Sequence, residues 1–155
     1  MASLRKEGLS LETLQLLATG QEPADAYVCE LLATLESEDE EVRAWASDAL
    51  QTVEQPAPQL ADTLAGLCSS GQTPPVASWA CKLLSKLDAA AEQHQSALVD
   101  VLEKHPEITV RQQAAIALST VSKWTSAAAE ALQRAASSSD PRLQRLATAA
   151  LAARR

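Results

Sequence analysis

Val42-Arg43-Ala44-Trp45-Ala46-Ser47-Asp48-Ala49-Leu50 is the stretch whose reading decides the fold, because it returns three more times in altered form. The later copies begin at Val76, Val110 and Leu143, so the lead residues at 42, 76, 110 and 143 are separated by 34, 34 and 33 residues. A fixed period in this range is the mark of stacked helical repeats. With the lead residue as position zero, position four is always alanine: Ala46, Ala80, Ala114 and Ala147. Position eight is always leucine: Leu50, Leu84, Leu118 and Leu151. Position eleven reads Val53, Leu87, Val121 and then Arg154. Offsets of 0, 4, 8 and 11 lie on one helical face. A methyl group at position four lets a neighbouring helix approach closely, and the leucine fills the space beside it. Arg154, where a core residue is no longer needed, fits a terminal cap.

Each of these helices follows another amphipathic segment, and the four segments are 25–36, 59–68, 94–104 and 126–136. Their apolar residues, such as Val28, Leu31, Leu32 and Leu35, are again spaced by 3 and 4. The expected architecture is all-α: an α-α superhelix, or solenoid, of about four helix pairs plus an N-terminal helix. Ser10 is placed to cap that helix over 10–19, which ends near Gly20 and covers the first repeat. The repeats run over about 24–54, 57–88, 92–122 and 125–155, and the length of 155 residues suits a single domain over 1–155.

Between the segments, Ser37-Glu38-Asp39-Glu40 reads as a capping box within the acidic run 36–41. That run could be an acidic docking patch, but a cap with a solvated turn is the preferred reading. Thr73-Pro74 and Asp140-Pro141 read as helix starts, and the turn 69–75 is about two residues longer than its counterparts. Asp88–Glu92 reads as a link, and His105-Pro106 as a helix end.

Asp39-Glu40-Glu41-Val42-Arg43 with Ala46, Ala49 and Leu50 resembles the second helix of a HEAT repeat. It is most similar to the short-period form known from phycobilisome lyases. Glu107, Val110, Arg111, Ala114, Ala117 and Leu118 repeat the match; the copy at Asp140 matches less fully, and the copy at Val76 departs at Ala77 and Thr73. The resemblance covers 24–155 and implies fold more than function, because such repeats serve many unrelated roles. A tetratricopeptide unit has a similar period but needs Gly, Tyr and Phe in set columns, and this chain has no Phe and one Tyr. Nor is there the Thr-Pro-Leu-His turn of an ankyrin repeat.

A net charge of −7 argues against general nucleic-acid binding, which needs a basic footprint. Cys29, Cys68 and Cys81 are odd in number and widely spaced, which points to reduced thiols in a cytoplasmic protein, not a disulfide framework or zinc site. Met1 to Gly8 lacks the apolar run of a signal peptide, and no apolar stretch is long enough to span a membrane. His94 and His105 form no metal motif, and no phosphate loop, nucleophile elbow or dinucleotide fingerprint occurs. No cofactor is implied, and nothing makes a specific case for catalysis.

The resemblance implies that the second helices line a concave face where partners bind. The side chains expected there are Arg43, Lys82, Lys86, Arg111, Gln112, Gln144 and Arg145, with Asp48 the only opposing acid. One reading is a basic stripe for a protein or acidic peptide. The other is structural, with Arg43 and Arg111 pairing with acids of neighbouring repeats; Lys82 and Arg145 then carry more of the binding hypothesis. Trp45 and Trp79 share offset three. They could stack on a planar ligand, but that offset flanks the core, and a core role is expected. The leading expectation is a non-catalytic interaction or scaffold module. Its Ala-rich last repeat would leave a thin surface for a second copy or another part of a larger chain. Two alternatives come from the resemblance alone. A bilin-lyase-like role would use Arg43, Trp45, Trp79 and Cys81. A role like that of HEAT-like alkylpurine DNA glycosylases would need a basic groove, which the pI of about 4.8 opposes.

Overall fold

The computed structural model describes residues 9–68 and 72–154. Among them every regular element is helical, and no strand occurs. The expected class, all-α with HEAT-like helix pairs, is the class observed. The chain divides into two compact units, one ending at Ala57 and one beginning at Pro58.

In the first unit, α1 (Leu11–Ala18) starts at Ser10, whose Oγ accepts the Thr13 N–H at 3.2 Å. It closes at Gly20, where φ is +77°. That left-handed residue lets the Gln21 N–H turn back to the Leu16 carbonyl at 3.0 Å. A short 3-10 turn, Asp25–Tyr27, leads into α2 (Val28–Thr34), which pairs with α3 (Glu40–Gln51). Leu14 and Leu17 of α1 are fully buried, and α1 packs on α3, as a helix covering the first repeat should. The cap of α3 differs from the expected capping box. Asp39 is the N-cap, accepting the Glu41 N–H at 2.9 Å, while Ser37 Oγ accepts the Asp39 N–H at 3.2 Å. The helix starts two residues later than a Ser37 cap requires, and aspartate caps as well as serine does.

In the second unit, a 3-10 turn at Pro58–Leu60 opens α4 (Ala61–Leu67), which pairs with α5 (Pro74–Ser85). Thr73 is the N-cap of α5 with Pro74 just inside, as expected; residues 69–71 of the preceding turn lie outside the described residues. The expected link at Asp88–Glu92 is instead a helix, α6 (Asp88–Gln93). Ala89, Ala90 and Ala91 favour a helix, and Asp88 makes the corner at φ +23°, a strained setting that aspartate tolerates better than most residues. Two further pairs follow: α7 (Gln95–Lys104) with α8 (Ile108–Thr120), and α9 (Ser126–Ala135) with α10 (Pro141–Ala152). The unit has two layers. Second helices α5, α8 and α10 lie side by side, and first helices α4, α7 and α9 form the other layer.

The repeat columns appear as burial. Ala46, Ala80, Ala114 and Ala147 are all 0% exposed. Leu50, Leu84 and Leu118 are likewise fully enclosed, each contributing about 1.5–3 kcal/mol relative to an exposed side chain. Leu151 is only half-buried, and Arg154 stands exposed where Val53, Leu87 and Val121 are buried.

Candidate functional site

The two arginines of offset one do the same local work. The Arg43 Nη1 donates to the Ser37 carbonyl at 2.7 Å, and the Arg111 Nε donates to the Leu102 carbonyl at 2.8 Å. Both carbonyls lie at or just beyond the C-terminal end of the preceding first helix, where backbone oxygens lack intrahelical donors and the helix dipole favours a cation. Each arginine therefore ties a second helix to the end of its own first helix. The pairing with acids of neighbouring repeats, one of the two readings of these arginines, is replaced by this contact with backbone. Both side chains are half-buried. Offset one in α5 is Ala77, which is buried, and in α10 it is Gln144, which is exposed.

Gln112, placed by periodicity on the open face, is 7% exposed. Its Nε2 donates to Asp140 Oδ2 at 2.9 Å, and the same oxygen accepts the Leu143 N–H at 2.7 Å as the cap of α10. The Leu143 N–H and then the Gln112 amide hold the Asp140 carboxyl below the usual carboxylate range. The Asp-Pro cap was legible, but its second partner 28 residues upstream carried no sequence signal.

The remaining candidates are more open. Lys82, Gln144 and Arg145 are exposed, and Lys86 is half-buried at the C-terminal end of α5. The Lys82 Nζ lies 4.6 Å from the centroid of the Trp79 ring. Trp79 and Trp45 are both half-buried, so neither is the enclosed core residue expected. Offset three sits at the margin of the buried face, where a large ring is covered on one side only. In the α5–α8–α10 layer, the open margin combines Trp79 and Lys82 with half-buried Gln113 and Ile116 of α8, then Arg145 and Leu146 of α10.

Trp124 and Arg154 form a contact that sequence reading did not connect. The Trp124 Nε1 donates to the Leu118 carbonyl at 2.7 Å, and the Arg154 guanidinium stacks 3.8 Å from the ring centroid. Arg154 also donates to the Ser122 carbonyl at 2.7 Å and to the Val121 carbonyl. The residue that breaks the core column thus clasps the end of α10 to the turn after α8.

Two grooves open in the first-helix layer. One, of about 330 Å³, lies between α4 and α7 and is lined by Ala65, Gly66, Ala97 and Val101, with Asp100, Lys104 and His105. His105 is 4% exposed; its Nδ1 accepts the Glu107 N–H at 3.1 Å, and its Nε2 has no hydrogen-bond partner among the described residues. The other groove, about 420 Å³, lies between α7 and α9 beside Arg111, Arg134 and Ser138, and there Arg134 pairs with Glu103. Among the described residues, no three His, Cys, Asp or Glu side chains gather to hold a metal ion. No helix among them is long and apolar enough to cross a membrane. Cys68 and Cys81 are fully buried; a hydrogen bond with the Cys68 thiol, and then burial, push the Cys81 thiol above its ordinary range.

The family comparison agrees with this geometry. A family model described as HEAT repeats matches residues 28–118, more than half of the chain. Neither the curated proteins nor the solved structures include a match. The matched span begins at the first residue of α2 and ends within α8, so it holds both stapling arginines and three of the four alanine positions. The chain belongs to the HEAT-repeat family.

Proposed function

We propose that this chain is a non-catalytic protein-interaction module that takes a partner on the open margin of its second helices. HEAT repeats generally mediate protein–protein interaction. The observation that carries the reading is the division among the candidate residues. Arg43, Arg111 and Gln112 are tied into the repeats, while Lys82, Gln144 and Arg145 are exposed. Lys82 over the half-buried Trp79 joins a cation to an aromatic face, and Arg145 beside half-buried Leu146 joins a cation to an aliphatic one. The partner is an acidic protein segment that also carries apolar side chains. Lys86 belongs to the same margin. Residues 1–155 acting as one domain, in the cytoplasm and without a cofactor, belong to this reading.

A place in the phycobilisome-lyase-type subfamily has less support. Cys81 is enclosed and its thiol is held protonated, so it is poorly placed to react with a bilin. A DNA glycosylase-like role meets the net charge of −7.

The test is capture from host lysate by the wild type and by Lys82→Glu/Arg145→Glu, with partners read by mass spectrometry. Arg111 is left intact because its loss would disturb the repeat. A partner bound by the wild type and lost by the double variant, at unchanged helicity and melting, supports the site. A partner held equally by both places binding elsewhere.

A further inference from the structure

Arg43 and Arg111 staple their repeats with different nitrogens, and the difference leaves one of them a free end. Arg43 donates through Nη1, whereas Arg111 donates to the Leu102 carbonyl through Nε at 2.8 Å. The two Nη groups of Arg111 have no hydrogen-bond partner among the described residues, and neither is sealed from solvent. Arg111 lines the groove of about 420 Å³ between α7 and α9. The Nη edge of a guanidinium carries two parallel N–H groups, the geometry that grips a carboxylate by both oxygens. Because this side chain is half-buried and already held at Nε, little more of its freedom is lost when a ligand arrives. The rest of the groove is mixed. Arg134 is paired with Glu103, and the Ser138 Oγ accepts the Asp140 N–H at 3.1 Å, which leaves its own O–H to donate. Leu102, Ala131 and Ala135 add an apolar wall.

We infer that this groove binds a small organic monocarboxylate with a short alkyl body. The Nη edge of Arg111 takes the carboxylate, the Ser138 hydroxyl donates to it, and the alkyl chain lies on Leu102, Ala131 and Ala135. Charge fixes the ligand as a monoanion. Two arginines set against Glu103 leave one positive charge in the lining. The C-terminal turns of α7 and α9 border the groove, and carbonyls at helix ends repel further negative charge. A phosphate dianion meets both penalties. The volume falls among those of small-molecule clefts. This site goes beyond the proposed function. Its ligand is a small molecule, not the partner of the second-helix margin, and neither Lys82 nor Arg145 lines it. The bond that ties the repeat stays on Nε, and either result of the lysate capture leaves the groove's chemistry unchanged.

The probe is pentanoate, titrated into the isotope-labelled full chain at neutral pH and followed by NMR at the Arg111 Nε–H and the Ala135 methyl. The site predicts saturable shifts at both, with a Kd on the order of a millimolar for so small a ligand. Pentanamide, the same body without the charge, should not shift either signal, and inorganic phosphate should bind more weakly than pentanoate. Arg111→Lys keeps the charge and loses the two-pronged edge, and should weaken binding at least about tenfold. Glu103→Gln changes an exposed side chain, leaves the Arg111 bond in place and frees Arg134, so it should tighten pentanoate several-fold; a merely structural disturbance would not. This arm holds even if Arg111→Lys melts early. No saturable shift in the wild type, equal shifts with pentanamide, tighter binding of phosphate, or no gain in Glu103→Gln would each overturn the assignment.

Discussion

Helices α8 and α10 carry the same repeat pattern and have different fates. α8 is flanked by α5 and α10 within its layer and backed by α7, and Leu118 and Val121 are enclosed. α10 is backed by α9 and flanked by α8, and no other helix among the described residues packs closely against it. Its Leu151 is half-buried, and Arg154 occupies the place of a core valine. The sequence period sets which face could be buried; the number of neighbours sets how much of it is. In a stack of repeats, stability comes from those interfaces more than from any helix by itself.

The contrast is sharpest at position eight. Leu118→Ala should cost about 2–5 kcal/mol, because it opens a cavity in an enclosed site. Leu151→Ala should cost about 1 kcal/mol or less, and urea unfolding of the two variants would measure the gap. Equal losses would mean that α10 is covered as fully as α8. The small residues should divide in the same way. Ala114→Leu should lose about 1–3 kcal/mol by overpacking, while Ala149→Leu, on the exposed side of α10, should stay within about 0.5 kcal/mol of the wild type in the same assay.

The arginines come next. Arg111→Ala removes a charged donor from a helix-end carbonyl and should cost roughly 1.5–3 kcal/mol in thermal melts. Arg154→Ala, exposed and resting on Trp124, should cost no more than about 1 kcal/mol.

The smallest effect is a pH dependence. Asp140 has a folded pKa below its ordinary value, held there by the Leu143 N–H and Gln112. Its charge therefore adds stability that is fully present above the ordinary value of about 3.9 and lost as pH falls through the lowered folded one. Asp140→Asn should be less stable than the wild type near neutrality, and the two should converge in acid. A gap that stays constant down to the acid limit would show that the carboxylate charge has no part in the cap.

The helix faces were legible because Val, Ala and Leu recur at fixed offsets, and burial follows offset almost without exception in α3, α5 and α8. The partners of the polar side chains were not. Arg43 and Arg111 were read either as a binding stripe or as partners of neighbouring acids, yet each bonds a carbonyl at a helix end, which every sequence has and no sequence displays. Gln112 looked open because offset two falls off the core face of the helical period, but the Asp140 cap closes over it. The α4–α7 groove left still less trace. It is lined by Gly66 of one helix and Ala97 of another, a juxtaposition set by packing and not by period.

The central claim is that structure and binding are carried by different cations on the same helices. The most direct measurement pairs a thermal melt with partner capture for two variants, Arg111→Ala and Lys82→Ala/Arg145→Ala. The account predicts a crossover. Arg111→Ala melts several degrees lower and still captures the partner well below its melting point, while the double variant melts like the wild type and loses it. If Arg111→Ala keeps its melting temperature and loses the partner, the arginine column is the binding site and the division drawn here is wrong.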